Sequence, residues 1–139
     1  MRLRIENARI VDGTGAPARE GAVLIEDEHV AELGETSLTP HETLDAEGAV
    51  VAPGFIDMHS HSDFTLPGQP DAGAKVLQGV TTEVVCNCGL GLTPANARVE
   101  EFYALIQPMI FGEQGGSCYR DLDAYTDRLH GDGVSVNVA

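Results

Sequence analysis

Hydrophobic residues in the first third of the chain fall in short runs, LRIENARIV, GAVLIEDEHVAELG and ETLDAEGAVVAPG, separated by Gly, Pro and acidic turn signals. Weakly alternating runs of this length predict strands, so a small β-rich lobe is expected over residues 1–52. A few strands seldom make a stable unit alone, and something else is expected to complete the lobe. After Pro53 the pattern changes. FIDMHSH reads as an apolar strand, the stretch near Asp71 to Gln78 as a helix closed by Gly79, and VTTEVVCNC as a further strand, which together make a βαβ unit. A longer helix is expected between about Asn96 and Phe111, with Pro108 kinking it or ending it early. Another runs from Asp121 to His130 and stops at Gly131, after which VSVNVA begins a third buried strand. Strands alternating with helices over residues 53–139 predict an α/β class with a parallel sheet. Such a sheet needs helices on both faces or closure into a barrel.

The 139 residues suffice for one ordinary core. A closed (β/α)8 barrel, by contrast, needs about 250 residues. A truncated chain is therefore expected, with the missing part after Ala139. An unfinished last strand would offer unpaired backbone groups to another chain and so permit self-association. Charge narrows the partners: 22 acidic against 8 basic residues give a net charge of -14, which repels a phosphate backbone and excludes nucleic acid. No substrate charge follows from it. The N-terminal MRLRIENARIVDG is not a basic segment followed by an apolar run, and no stretch approaches the length of a membrane span. Cys86, Cys88 and Cys118 are too few, and odd in number, for a disulfide framework. A reducing cytoplasm is the expected compartment, with thiols free to act as ligands.

The chemistry concentrates in Asp57-Met-His59-Ser-His61-Ser-Asp63. In an extended strand, residues two apart share a face, so Asp57, His59, His61 and Asp63 are expected on one side. Two imidazoles can then point at one zinc, and the C-terminal end of a barrel strand is where active sites form. The bland alternative is a pair of polar side chains at a surface turn. Asp57 is the better candidate for a carboxylate that supports a histidine ring nitrogen. By the same alternation Cys86 and Cys88 face one side of the following strand. Cys88, at the mouth, is placed to join the histidines, whereas Cys86 reads as a small core residue. His29, His41 and His130 read as structural. Cys118, in the Gly-rich EQGGSCYR, receives no role, and GLGLTP lacks the Gly-Lys-Ser/Thr signature of a phosphate loop.

VDGTGAPAREG, VVAPGFIDMHSHSD, LQGVTTEVVCNCGLGLTP and the closing VSVNVA resemble the N-acyl-D-amino-acid deacylases, or D-aminoacylases, of the amidohydrolase superfamily. PGFIDMHSHSD marks only the superfamily, which also holds dihydroorotases, hydantoinases and deaminases; NCG after GVTT narrows the resemblance. The resemblance implies a β-sandwich lobe joined to a TIM-type (β/α)8 barrel, with one or two zinc ions at the barrel mouth. It implies metal ligation by His59 and His61 from the first strand, and by Cys88 in the place that a carboxylated lysine takes in many relatives. Further histidine ligands and a catalytic aspartate are implied on later strands, so no catalytic residue is assigned here. The activity implied is hydrolysis of a non-peptide carbon–nitrogen bond, deacylating small N-acyl-D-amino acids with a zinc-activated water. The isolated 139 residues are expected to be inactive. Hydantoin or other cyclic-amide hydrolysis stays open, as does a non-catalytic chain that acts by association through its exposed edge. Cys86 departs from the family pattern, which usually has a small or β-branched residue there.

Overall fold

The first apolar run forms β1 (Arg2–Ile10), which pairs antiparallel with β2 (Arg19–Glu26) from Arg2↔Glu26 to Ile10↔Arg19. A register shift between Ile5 and Ala8 is absorbed at Asn7, whose φ of 54° lies in the left-handed region that asparagine tolerates better than most residues. β2 turns through Asp27, also left-handed, into β3 (His29–Gly34). The acidic run then returns as β4 (Glu42–Asp45) and β5 (Val50–Val51), both parallel to β1. The sheet order is β3-β2-β1-β4, with β5 beside β1. Ala8, Ile10 and Val23 are buried on it, with Ile5, Ile25, Ala46 and Val51 packed against them.

This computed structural model describes residues 1–112 and 117–139 and divides into two compact units, Met1–Pro53 and Gly54–Ala139. The first unit holds one sheet among the described residues. The second is built on three parallel strands in the order β6-β7-β8: β6 (Phe55–Asp57), β7 (Val80–Glu83) and β8 (Asn137–Val138). Gly54 is required at the entry to β6, because a Cβ there would lie 2.1 Å from Thr81 Oγ1. The short helix α1 (Gly73–Val76) crosses from β6 to β7, and α2 (Ala97–Ile110) and α3 (Leu122–Asp132) lie between β7 and β8.

The expected strand–helix–strand order and the parallel pairing hold, but the elements are shorter than their apolar runs. Strand pairing ends at Asp57 and Glu83, so neither FIDMHSH nor VTTEVVCNC is a strand throughout. The helix expected near Asp71 to Gln78 is four residues long. Pro108 does not end α2 early: it sits in the last turn, and the helix still closes with Phe111 N–H donating to Gln107 O at 2.8 Å. A proline this close to the C-terminus removes one backbone bond and leaves the preceding turns intact. Asn96 caps α2 by accepting from Arg98 and Val99 N–H, and Asp121 caps α3 by accepting from Ala124 N–H. α3 ends at Gly133 instead of Gly131. Gly133, not Gly131, carries a positive φ, 69°.

Two apolar clusters hold this unit together: Leu66, Ala72, Tyr125, Leu129 and Val136 in one, and Phe64, Leu92 and Tyr103 in the other. Phe64 is fully buried, stacked on Phe111 at 4.4 Å and edge-on to Tyr103 at 5.1 Å. It follows directly on the histidine segment, so its packing fixes where that segment leaves the core. Phe64→Ala is expected to destabilise the chain by about 3–5 kcal/mol, the usual cost of emptying a buried aromatic site. Urea denaturation checks this, and a loss under about 1 kcal/mol would mean that the Phe64 cluster does not support the unit.

Candidate metal centre

β6 and β7 end side by side, with Asp57 paired to Glu83. Backbone bonding runs one step further, Val84 N–H to Asp57 O at 2.8 Å and Ser60 N–H to Val84 O at 3.0 Å, before both strands give way to loops. The first loop carries His59 and His61 into a 3-10 turn at Ser62–Phe64; the second carries Cys86 and Cys88 through another at Asn87–Gly89. Cys86 and Cys88 both adopt a left-handed backbone, φ 59°. The alternation that would have given them a common strand face is therefore broken. The Cys86 thiol donates to Asp63 Oδ2 at 3.7 Å, whereas Cys88 Sγ lies 2.9 Å from His59 Nε2. Asn87 ties the second loop down, its amide donating to Val84 O at 2.8 Å and Ser60 O at 3.5 Å.

His59, His61 and Cys88 each direct a donor atom into one place, all within 4.8 Å of one another. The imidazole rings stand edge to face with centroids 5.6 Å apart, and the buried Nδ1 of His61 has no hydrogen-bond partner. Two nitrogen donors and one sulfur form a set suited to zinc, and three protein ligands leave a position open, the composition of a catalytic zinc site. The donors thus fit a metal on geometry and on chemistry.

The other sequence candidates separate. Asp57 does not reach a histidine ring: its Oδ1 accepts from His59 N–H at 3.1 Å, and its Oδ2 pairs with Lys75 Nζ at 2.5 Å. The Lys75 hydrogen bond, then the His59 N–H, hold its carboxyl below the usual aspartate range. Asp63 leaves the histidine face altogether and is fully buried, with Oδ2 accepting from Leu92 N–H at 3.2 Å and Oδ1 unpartnered. Burial raises its pKa, against the opposing pull of the Leu92 N–H. Cys86 is not the core residue expected, being exposed overall. Its thiol nonetheless has its pKa pushed up to about 11, by burial first and by the neighbouring Asp63 second. Cys118 packs beside the Phe64 cluster; residues 113–116 of its Gly-rich loop lie outside the described residues. His41 Nδ1 accepts from Arg2 N–H, and His130 sits in the last turn of α3.

The amidohydrolase family matches residues 42–105. The chain is 36% identical over 138 residues to an N-acyl-D-glutamate deacylase of Alcaligenes xylosoxydans xylosoxydans, covering 99% of this chain and 27% of that protein. A D-aminoacylase from the same organism is 34% identical over 140 residues, with 99% of this chain and 28% of that protein covered. Among solved structures, the N-acyl-D-glutamate deacylase of Bordetella bronchiseptica, complexed with zinc and a phosphonate mimic of the tetrahedral intermediate, superposes with a TM-score of 0.82 at 38% identity. That alignment covers 99% of this chain and 28% of that one. Residues 42–105 thus match the amidohydrolase family, and the chain along almost its whole length is similar to deacylases. Within that family, the likeness runs to the deacylases: a D-hydantoinase reaches a TM-score of only 0.52, over 76% of this chain. The chain spans just over a quarter of the length of the curated deacylases that it matches from end to end.

Four polar residues of this amidohydrolase segment were not singled out from the sequence: Ser60, Ser62, Lys75 and Glu83. Ser60 and Ser62 alternate with the histidines and are buried. Glu83 is fully buried, and its Oε2 accepts from Ser60 Oγ at 2.5 Å and from Ser62 Oγ. Lys75 Nζ lies 3.5 Å from the same oxygen. The available signal was a lone acid inside the apolar run VTTEVV, since a carboxylate is almost never fully buried unless paired.

Asp63 yields a pH prediction with a defined sign. Its folded pKa lies above the unfolded value of about 3.9, so its carboxylate opposes folding. That cost is absent below the unfolded value, grows as pH rises through the gap, and is complete above the folded value. Asp63→Asn, which keeps an acceptor for Leu92 N–H, is expected to be more stable than the unsubstituted chain at neutral pH and to lose that advantage near about pH 3. Denaturation at the two pH values checks it; an advantage that is equal at both, or absent at both, would contradict the assignment.

Proposed function

We propose that the complete protein is a zinc-dependent hydrolase that removes the acyl group from N-acyl-D-amino acids, and that His59, His61 and Cys88 hold the metal. One observation carries the reading: three donors of the right chemistry, supplied by the loops that follow two adjacent parallel strands, converge within 4.8 Å. The match to curated deacylases along almost the whole chain supports the reaction class and the substrate. The finer architecture follows the same family. Residues 1–52 would contribute to a β-sandwich lobe, and residues 53–139 would supply the first βα units of a TIM-type barrel. Free cysteines favour a cytoplasmic setting. No helix among the described residues is long and apolar enough to cross a membrane.

Zinc in such a site supplies Lewis acidity: it lowers the pKa of water to about 7 and polarises a substrate carbonyl. The chain's own residues supply placement. His59 and His61 offer neutral nitrogen donors, and Cys88 a sulfur that must lose its proton to become a ligand. The two loops are secured from below, by Ser60 N–H on Val84 O and by the Asn87 amide on Val84 O and Ser60 O. Neighbouring Cys86, bonded to Asp63 and with its pKa raised, is held as a thiol and directed elsewhere.

Self-association is a second reading for the isolated chain, favoured by Phe55 and Ile56 of β6, which are 64% and 59% exposed.

Cys88→Ser replaces a soft anionic donor with a poor neutral one and is expected to remove most of the zinc from the purified chain. Cys86→Ala, at an exposed position, should retain it, with a stability change of no more than about 0.5 kcal/mol. Zinc content per chain, measured in both variants beside the unsubstituted protein, decides. Equal retention by both, or selective loss in the Cys86 variant, overturns the ligand assignment.

A further inference from the structure

Beneath the histidine loop lies a run of polar groups that the ligand set does not explain. Glu83, the last residue of β7, is fully buried, yet its Oε2 takes hydrogen bonds from both serines that interleave with the histidines. The serine hydroxyls also lie 2.7 Å from each other, and Ser62 N–H donates to Ser60 Oγ at 3.1 Å. Lys75, from α1, reaches both ends of the assembly: Nζ is 3.5 Å from Glu83 Oε2, 3.4 Å from Ser60 Oγ and 2.5 Å from Asp57 Oδ2. Asp57 in turn accepts from His59 N–H. A continuous chain of polar contacts therefore runs from β7 through α1 to β6 and grips the segment 57–62 at Asp57, Ser60 and Ser62.

This grip has a consequence for the histidines. Ser60 and Ser62 bond to the buried carboxylate, while His59 and His61 converge with Cys88. Strand pairing ends at Asp57, and after the Ser60 N–H bond to Val84 O the backbone turns into the 3-10 turn at Ser62–Phe64, so side-chain contacts set the direction of this segment. We propose that Glu83, acting through Ser60 and Ser62 and backed by Lys75, is a positioning residue that pre-sets His59 and His61 for the metal. The inference rests on the reading of His59, His61 and Cys88 as the ligand set. It differs from ordinary support of a ligand, because Glu83 touches neither imidazole and works through the residues between them. Groups that orient ligands from behind typically change metal affinity by about 10–100-fold when removed.

The test is zinc affinity of the chain, measured by competition with a chromophoric chelator. Cobalt absorption reports whether a thiolate is bound. Glu83→Gln keeps the shape of the side chain but removes its charge; Ser62→Ala removes one hydroxyl and leaves Ser60 and Lys75 to satisfy the carboxylate. Glu83→Gln is expected to weaken zinc by about 10–100-fold, and Ser62→Ala by a smaller factor in the same direction. The double variant should be no weaker than Glu83→Gln alone, since both act through one path. A purely structural role lowers the melting temperature while the folded fraction still binds zinc as before. Zinc constants within about twofold of the unsubstituted chain in folded variants would overturn the proposal. If Glu83→Gln does not fold, Ser62→Ala decides by itself. Failure of the ligand reading looks different: the unsubstituted chain then takes up no zinc and shows no cobalt–thiolate band, and the positioning role falls with it.

Discussion

A carboxylate enclosed in protein must find donors, and in this chain the donors of Glu83 come from the loop that carries the histidines. Leaving the group unpaired would cost several kcal/mol of desolvation. The loop therefore has few ways to sit: both serine hydroxyls and the Lys75 ammonium have to arrive at one oxygen of a side chain fixed at the end of β7. Buried ion pairs of this kind are weak evidence for stability, since packed apolar residues often do as well. Their use here is to select one loop conformation among several of similar compactness.

The same constraint explains how irregular backbone can carry an ordered site. β6 and β7 stop before His59 and Cys88, and backbone bonding between them runs only as far as Ser60 and Val84, so the rest of each loop does not inherit its geometry from sheet pairing. Order comes instead from side chains that stand in for the ladder: Asn87 on Val84 O and Ser60 O, Asp57 on His59 N–H, and Asp63 on Leu92 N–H. Behind them Phe64, packed between Tyr103 and Phe111, closes the histidine loop against the core. Each polar tie gives a backbone group of the two loops a partner that sheet pairing does not supply there.

The parts legible in the sequence were those set by local periodicity and composition. Apolar runs broken by Gly79 and by the Asn96 and Asp121 caps located the parallel unit and its helices, and HxH with a downstream NCG pointed to His59, His61 and Cys88. Element ends were less legible, because the alternation read into MHSH and the apolar character of VVCNC both continue past the last paired residue. Two structural consequences escaped for that reason. Cys86 and Cys88 were assigned a common face by strand alternation, but a left-handed backbone at both sends their sulfurs to Asp63 and His59 respectively. Asp57 was expected behind an imidazole, but Lys75, which lies on the crossover helix outside both motifs, takes the carboxylate. Pairings of this kind depend on which residues a crossover helix brings alongside a strand end, and no local pattern encodes that.

Two thiols two residues apart can thus face different partners without any difference in sequence type. For Cys86, burial and the adjacent Asp63 both oppose the anion, and the thiol stays a hydrogen-bond donor. Cys88 Sγ instead lies 2.9 Å from His59 Nε2, in the place where the three donor atoms converge. Both cysteines have a left-handed backbone, and Asn87 between them bonds its side chain to Val84 O and Ser60 O. Which sulfur faces His59 and which faces Asp63 therefore rests on loop geometry, and Asn87 ties that geometry to the backbone carbonyls of Ser60 and Val84.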